Sequence, residues 1–277
     1  MSAKQDADVR YSLVVVGGGK MGEALIGGLL NAGWCKAAEM LIIEPVESRR
    51  SELATRFVGV RVVAEQPAEL RAEAALVAVK PHHVAEVCRL LAPVVDRLLS
   101  VAAGVTTASM ESALREGAPD RTVAVVRSMP NTPALVGCGA SAIAGGAAAT
   151  TQDCEWAASI LSAVGVVERV EEKLLDTVTG ISGSGPAYIF LVAEAMIEGG
   201  VLMGLPRTVA TTLVAQTIAG AGIMLRDSGD DAAQLRGNVT SPGGTTAAGL
   251  RVLEERATRS AFIDAVAAAT ERSRALG

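Results

Sequence analysis

The passage from an apolar strand into a glycine cluster is the feature that most constrains how this chain folds. Residues 12–17 read SLVVVG, an apolar run typical of a strand that is buried on both faces. It continues into Gly17-Gly18-Gly19-Lys20-Met21-Gly22, and a helix pattern follows over residues 20–32. A strand, a glycine turn and a helix in this order predict the start of a βαβ unit, and therefore a parallel sheet.

Strand and helix patterns alternate through the first 150 residues. Alternation of this kind predicts a doubly wound parallel sheet with right-handed crossovers, which makes the chain an α/β protein. Strands are predicted at 11–17, 40–43, 60–63, 74–79, 98–103 and 122–127, and helices at 20–32, 46–57, 82–91 and 109–114.

Beyond about residue 150 the pattern is helical, except for a predicted strand at 165–169. Segments such as MIEGGVLMGL and TTLVAQTIAGAGIML are apolar on almost every side, which requires burial on every side. So small a unit cannot bury this surface alone, so we expect an obligate homo-oligomer formed through these helices. Helices are predicted at 152–163, 171–179, 185–203, 206–226, 230–236, 245–256 and 259–275. The predicted division is a disordered tail at 1–10, an α/β domain at 11–170 and an all-helical domain at 171–277.

Charge and hydropathy exclude several classes of protein. The formal net charge is −5 and no basic stripe is present, which argues against nucleic-acid binding. No apolar run reaches the roughly 18 residues of a membrane span, so no membrane partner is expected. The polar residues 1–10 lack the apolar segment of a secretion signal, which predicts a cytoplasmic protein. The four cysteines have neither metal-ligand nor CxxC spacing, so we expect buried apolar thiols and no metal site.

The glycine cluster fits the pattern G-x-G-x-x-G, and each glycine has a physical role. Gly17 permits the tight turn, Gly19 lets the backbone approach a pyrophosphate, and Gly22 lets helix and strand pack closely. The helix then points its N-terminal N–H groups at the phosphates. Strand, motif and helix together predict a Rossmann domain that binds a nicotinamide dinucleotide.

The end of the second strand bears on which dinucleotide is bound. Glu44 lies 22 residues after Gly22 and can accept both hydroxyls of an adenine ribose, which suits NADH. Arg49 and Arg50 follow, and a guanidinium can instead bind the 2′-phosphate of NADPH. The same pair is equally typical of a solvated first helical turn. The residues therefore leave NADPH and NADH both open.

Other strand ends supply further candidates, because ligands of doubly wound sheets lie outside the carboxyl ends of the strands. Lys80-Pro81 ends one predicted strand, and the small residues of VAAG at 101–104 end the next. We expect both to line the dinucleotide.

Two glycine loops in the helical half begin helices. SGSGPAY at 182–188 places Ser184 where it can cap a helix, so a tight helix crossing explains this loop as well as a site does. TSPGGTT at 240–246 brings three hydroxyls and two glycines to a helix start. Backbone N–H groups at such a start can hold a carboxylate without a cation. We expect this second loop to bind substrate.

The acid–base residues narrow the chemistry by their positions. His82 and His83 are the only histidines, both in the first half, and Lys173 is the last lysine. A dehydrogenase of hydroxyacids needs a histidine or lysine near its substrate. A cyclic imine needs neither, because it binds already protonated and its carbon accepts hydride directly.

The motifs GGGKMGEAL, VAVKPH, VAAGV, RSMPNTPALVG, SGSGPAY and TSPGGTT, in this order, resemble those of the pyrroline-5-carboxylate reductase family. The resemblance runs from about residue 12 to the C-terminus. It implies reduction of L-Δ1-pyrroline-5-carboxylate to L-proline with NADPH or NADH, the last step of proline biosynthesis. It also implies a homodimer formed through interleaved C-terminal helices, and in some members a homodecamer.

The resemblance assigns residues to the site. Ser241 and the N–H groups of Gly244, Thr245 and Thr246 would hold the substrate carboxylate, and the Thr246 hydroxyl would bond the ring nitrogen. The resemblance also implies that the cofactor lies on the nucleotide domain of one subunit, to which the other subunit can supply the substrate loop. The expected cofactor-binding residues are Val16, Gly17, Gly18, Gly19, Lys20, Met21, Gly22, Glu44, Arg49, Ala78, Val79, Lys80, Pro81, Val101, Ala102, Ala103, Asn238 and Val239.

One stretch departs from the family pattern. EPVESRR at 44–50 stands where many members carry Ser/Thr or Asn-Arg, which leaves the preference for NADPH open. Two alternatives also remain: another NAD(P) reductase with a Rossmann and a helical domain, or a non-catalytic dinucleotide sensor.

Overall fold

A computed structural model describes residues 10–276 of the chain, so the predicted tail at 1–10 lies outside the described residues except for Arg10, which begins the first strand. Contacts within the chain divide it into two compact units. The first contains residues 10–183 together with 269–276, and the second is Ser184–Ala268.

The first unit is built on one eight-stranded sheet with the order β3-β2-β1-β4-β5-β6-β7-β8. Its central strands β1, β4 and β5 are rich in Val, Leu and Ala, as expected for strands covered on both faces. All neighbouring strands pair in parallel except β6 and β7. The strands are β1 Arg10–Val16, β2 Met40–Ile43, β3 Arg61–Val63, β4 Arg71–Val77, β5 Arg97–Ser100, β6 Ala124–Met129, β7 Gly139–Gly145 and β8 Gly165–Arg169.

The predicted α/β class with a doubly wound parallel sheet is confirmed, and the structure adds one strand that the sequence did not predict. The segment GASAIAG forms β7, antiparallel to β6 and parallel to β8. Its glycines and alanines have low intrinsic strand propensity, so the sequence pattern did not indicate a strand. Pairing on both sides and burial of Ile143 stabilise it instead. The predicted strand at 165–169 is confirmed as β8.

Helices cover both faces of the sheet. On one face α3 and α4 pack Val84, Cys88 and Met110 against the strands. On the other face α1, α2 and α5 contribute large apolar side chains such as Leu25 and Ile160. The helices of this unit are α1 Lys20–Asn31, α2 Glu47–Arg56, α3 Val84–Leu91, α4 Thr107–Gly117, α5 Thr151–Ser162 and α6 Leu175–Val178. The predicted helix at 171–179 is instead a short 3₁₀ turn, then α6, then a π turn over Thr179–Gly183.

The cysteines match the expectation of buried thiols only in part. Cys88 is buried in the core, and burial raises the pKa of its thiol to about 12. Cys35 and Cys154 are half-buried, whereas Cys138 is exposed. The expectation is therefore wrong for Cys138, which follows the turn at Gly137 on the surface.

The C-terminal part is helical, as predicted. Its helices are α7 Gly185–Leu202, α8 Arg207–Asp227, α9 Ala232–Asn238, α10 Thr245–Glu255 and α11 Thr258–Arg274. None of the residues of α7 is buried within the chain, and α8 buries only Ala210 and Val214. Large apolar side chains such as Phe190 and Leu191, each 66% exposed, lie on the surface of the single chain. Apolar area of this extent marks a face that another molecule covers.

Two helical segments bear on the membrane prediction. By length and composition alone, the helical stretch Glu172–Leu202 and α8 are apolar enough to span a membrane. Interrupting glutamates and threonines keep any uninterrupted apolar run short. The prediction that no uninterrupted run reaches the length of a membrane span is therefore not contradicted, although both segments meet a criterion based on mean hydropathy.

Candidate active site

The glycine loop joins β1 to α1 at the carboxyl edge of the sheet. Gly17 has φ +98°, and a Cβ atom there would lie 2.6 Å from the carbonyl oxygen of Ala78. A Cβ at Gly22 would lie 2.3 Å from the carbonyl oxygen of Gly17. Both positions therefore require glycine for the fold itself.

Gly19 differs from these two glycines. It is exposed and occupies the N-cap position of α1 with extended backbone, and no side chain caps the helix there. A Cβ at Gly19 would meet no described atom within 4 Å. The protein leaves open space over the helix N-terminus, whose first N–H groups have no intrahelical acceptor.

Glu44 lies at the end of β2 with its carboxylate turned into the protein, and it is only 7% exposed. Oε2 accepts the Gly18 N–H at 2.8 Å, and Oε1 accepts the Val46 N–H at 2.9 Å. Both oxygens thus bind backbone amides that join the glycine loop to the turn after β2. Sequence reasoning treated Glu44 as a ribose ligand and gave no sign of this internal role.

The two arginines after β2 have different surroundings. Arg49 donates to the Gly18 carbonyl at 2.6 Å and to Glu52 at 2.7 Å, and it also pairs with Glu23. Arg50 donates through Nη1 to the carbonyls of Pro45 (2.6 Å) and Glu44 (3.1 Å). Its remaining nitrogens make no hydrogen bond within residues 10–276.

The carboxylate of Glu23 explains why Arg49 is held so firmly. Glu23 is buried in α1 and pairs with Arg49 and Arg56 of α2. Burial by itself raises the pKa of Glu23, but the two guanidiniums outweigh it and hold the pKa below its ordinary value. Arg49 is therefore bound on all three of its nitrogens to the protein.

An apolar slot of about 320 Å³ opens beside the glycine loop. It lies at the carboxyl ends of β1, β2 and β3 and against α3. The sequence did not predict this slot, because the residues that line it lie on several elements that are far apart along the chain. The lining residues include Gly17, Ile43, Pro45, Ala64, Val79, His83, Val87 and Leu90.

The other predicted residues of the first unit lie at the same sheet edge. Ala78 to Pro81 follow β4, and Val101 to Ala103 follow β5, its parallel neighbour. Lys80 is exposed, and it precedes a 3₁₀ turn over Pro81–His83. The structure therefore brings the glycine loop and these two strand ends together on one edge.

A polar cluster of the half-buried Glu172 with the buried residues Thr107 and Arg127 was missed by sequence reasoning. Glu172 accepts the N–H and the hydroxyl of Thr107, the first residue of α4, at 2.7 and 2.6 Å. It also accepts from Arg127 of β6 at 3.2 Å. Burial raises the pKa of Glu172, but these donors outweigh it and the net pKa lies below 4.5. The only sequence signal is a charged residue inside an apolar strand.

We expect Glu172→Gln to lower the free energy of unfolding by about 1–3 kcal/mol at neutral pH, the typical cost of losing hydrogen bonds to a charge. Because the folded pKa is depressed, the stabilisation is complete above 4.5 and disappears as pH falls through the folded value. Urea unfolding of both proteins from pH 7 to pH 3 measures this. A difference that grows on acidification would contradict the assignment.

The TSPGGTT loop lies in the second unit and leads into α10. Gly244 is the N-cap residue and no side chain caps the helix, although hydroxyls flank it on both sides. The Gly244 N–H donates to the Ser241 carbonyl at 3.0 Å, and Gly243 has φ +71°. Ser241 and Thr245 are exposed and Thr246 is half-buried. Asn238 ends α9 and Val239 follows it, both exposed.

The SGSGPAY segment gives a different result. Ser184 takes the N-cap position of α7, but its side chain makes no capping hydrogen bond. The expectation of a Ser184 cap is therefore wrong. The start of the segment is bonded to the loop after β6, because the Asn131 side-chain amide donates a hydrogen bond to the Ser182 carbonyl at 3.1 Å.

Comparisons with known protein families divide the chain in a similar way. The family described as pyrroline-5-carboxylate reductase dimerisation matches residues 172–276. The family described as NADP oxidoreductase, coenzyme F420-dependent, matches residues 12–104 only. The first of these accounts for the exposed apolar helices as surfaces between subunits.

Whole-chain relatives agree. A pyrroline-5-carboxylate reductase of Synechocystis is 42% identical over 96% of this chain and 98% of its own. That of Methanosarcina acetivorans is 42% identical over 95% and 96%. The solved enzyme from Coxiella burnetii has a TM-score of 0.88 and 33% identity, covering 96% of this chain and 98% of its own. A Plasmodium falciparum pyrroline carboxylate reductase, solved with NADP bound, has a TM-score of 0.81 and 32% identity, covering 98% and 99%.

Fold and site together define a two-part protein, with a Rossmann-type α/β unit followed by a helical dimerisation domain. A homo-oligomer follows from that domain. Identity of about 40% along nearly the full length then decides the family. The chain belongs to the pyrroline-5-carboxylate reductase family, and the resemblance seen in its motifs is confirmed.

Proposed function

We propose that this chain reduces L-Δ1-pyrroline-5-carboxylate to L-proline with NADPH, the last step of proline biosynthesis. The observation that carries the proposal is a pair of helix starts that each have glycine at the N-cap and no capping side chain. One follows Gly19 in the α/β unit, and the other follows Gly244 in the helical unit. Each suits an anion: a pyrophosphate at the first and a carboxylate at the second.

The residues present fit a dinucleotide. Open space over Gly19 admits a pyrophosphate, and the apolar slot against α3 suits an adenine ring. The strand ends at 78–81 and 101–103, where Lys80, Pro81 and Ala103 are exposed, suit the nicotinamide half. When bound, NADPH supplies the hydride. We propose that residues 11–170 form the dinucleotide-binding domain and that residues 171–277 form the domain for substrate binding and dimerisation.

The substrate loop would act by orientation. We propose that Ser241 and the N–H groups of Thr245 and Thr246 bind the carboxylate, while Gly244 shares its N–H with the Ser241 carbonyl. The Thr246 hydroxyl would accept a hydrogen bond from the ring N–H of the protonated imine and so fix the face open to hydride. Orientation of this kind supplies on the order of 7–11 kcal/mol in favourable cases. Neither a histidine nor a lysine is required.

The orientation of Glu44 supports NADPH over NADH. Each oxygen of its carboxylate accepts a hydrogen bond from a backbone amide, of Gly18 and of Val46. The repulsion that a free acid exerts on a 2′-phosphate is therefore reduced. Arg50, with nitrogens left over, is the better placed cation, because Arg49 is bound on all three nitrogens. The Plasmodium relative solved with NADP is consistent with this choice.

Arg50→Ala should raise KM for NADPH at least about 10-fold and leave KM for NADH within about 2-fold, because charge-assisted hydrogen bonds to a phosphate contribute about 1.5–3 kcal/mol. Initial rates with each cofactor measure this, and Arg115→Ala on α4 is the matched control. Equal effects on both cofactors would count against a role at the 2′-phosphate.

We also propose that the enzyme is a soluble cytoplasmic homodimer, with the homodecamer as the larger assembly to test. Exposed apolar surface on α7 and α8 supports a subunit interface. The negative net charge supports a protein that does not bind nucleic acid. Sedimentation of the full chain distinguishes the dimer from the decamer.

Cofactor oxidation tests the function directly. NADPH should be consumed with pyrroline-5-carboxylate, and NADP+ should not be reduced with open-chain hydroxyacids. Turnover of hydroxyacids instead would favour another two-domain reductase. Cofactor binding with no turnover of any substrate would favour a sensor.

A further inference from the structure

We propose that Ser128 is a positioning residue that holds the nicotinamide end of the cofactor site from behind. The inference rests on the proposed function, since that function places the nicotinamide half beside residues 101–103. Ser128 lies on β6 and touches neither cofactor nor substrate in the proposed site.

The first contact is a buried hydrogen bond from a side chain to a strand end. The Ser128 hydroxyl donates to the carbonyl oxygen of Ser100, the last residue of β5, at 2.9 Å. Ser128 is 1% exposed and Ser100 is fully buried. Neither group can exchange this bond for water without opening the sheet.

The hydrogen bond between Ser128 and Ser100 comes from a side chain because it lies where the backbone pairing of β5 and β6 ends. β5 and β6 pair in parallel up to Ser100 and Arg127. From there β6 continues alongside β7 through Ser128 and Met129. Ser128 thus adds one bond to the β5 edge at the point where the paired register of the two strands ends.

The Ser100 hydroxyl also fixes the backbone that follows β5. It accepts the N–H of Ala102 at 3.2 Å, while the N–H of Val101 donates to Val77 of β4 at 3.1 Å. The backbone of residues 100–102 is therefore fixed from β4 and β6 at once. These are the residues that we expect to line the nicotinamide.

The other end of the same connection is fastened as well. Thr107 begins α4 and is bound by Glu172, which also pairs with Arg127. Arg127 and Ser128 are adjacent on β6, so one strand end supports both ends of residues 101–106. Removing the Ser128 hydroxyl should loosen the strand-side end and leave the helix-side end in place.

This separation gives a sharp test, because the adenosine half of the cofactor is expected at the glycine loop and the apolar slot. We measure dissociation constants by calorimetry for NADPH and for adenosine 2′,5′-bisphosphate, which lacks the nicotinamide half. In Ser128→Ala, NADPH should bind about 5- to 10-fold more weakly, the effect of one lost buried hydrogen bond. Binding of the bisphosphate should change less than about 2-fold.

Two further variants control for general damage to the sheet. Ser141→Ala removes another buried serine hydroxyl, on β7, and should alter neither dissociation constant. Ser128→Thr keeps a hydroxyl and should restore most of the NADPH affinity. Equal weakening of both ligands in Ser128→Ala, or no change in either, would overturn the proposal.

The binding measurements need no pyrroline-5-carboxylate, so the two proposals fail separately. A wild-type protein that binds NADPH but reduces no imine defeats the proposed function, while the ratio of the two constants still decides the role of Ser128. A wild-type protein that binds neither nucleotide defeats the positioning role as well.

Discussion

Thr246→Ala should lower kcat/KM for pyrroline-5-carboxylate by about 100-fold. Thr246 lies in the first turn of α10, where no side chain competes for the exposed N–H groups. Its hydroxyl is the one group of the loop that we assign to the ring nitrogen. Loss of one oriented hydrogen-bonding group at a reacting centre costs on the order of 10²–10³ in rate.

Steady-state rates at several imine concentrations measure this effect. The loss should fall mainly on kcat, because the carboxylate contacts of the loop remain. Thr55→Ala on α2, another helical threonine, serves as the control and should change neither constant. A kcat/KM within about 3-fold of the wild-type value in a folded Thr246→Ala protein would remove Thr246 from the site.

Gly19→Ala should weaken NADPH binding by about 100-fold without lowering the thermal midpoint. Its backbone has φ −63° and ψ −178°, which alanine adopts freely, and a Cβ there meets no described protein atom within 4 Å. The fold therefore does not require glycine at this position. What requires it is close approach of a pyrophosphate to the backbone.

Substitution of two other glycines should have different effects on stability and NADPH binding from those of Gly19→Ala. Gly17→Ala combines a positive φ with a contact of 2.6 Å to backbone, so it should destabilise the fold itself. Gly27→Ala on α1 meets only ordinary van der Waals contact with Phe57 and should affect neither property. If Gly19→Ala binds NADPH within about 3-fold of wild type, the glycine loop does not hold the pyrophosphate as proposed.

The α/β fold was predictable because its signals are local. The apolar runs that became β1, β2 and β4 are continuous in sequence, and the order of strand, glycine and helix follows from neighbours in the chain. β7 was missed because its glycine- and alanine-rich sequence becomes a strand only through pairing with β6 and β8.

Residue roles near the candidate site could be predicted from the sequence only where they depend on the local backbone. Gly17 and Gly22 have the tight contacts expected of them, since their roles depend on the turn that contains them. Glu44 was assigned to a ligand, whereas the structure binds it to Gly18 and Val46. Glu172 meets Thr107 across 65 positions of sequence, and no local pattern indicates such a pair.

Transfer of deuterium from the cofactor to the product tests whether this chain reduces pyrroline-5-carboxylate. NADPH carrying two deuterium atoms at C4 of the nicotinamide is incubated with the full chain and pyrroline-5-carboxylate, and the product is analysed by mass spectrometry and NMR. We expect L-proline with one deuterium at C5, formed at a rate that Thr246→Ala lowers about 100-fold. Oxidation of the cofactor without labelled proline, or no oxidation with either NADPH or NADH, would contradict the proposed function.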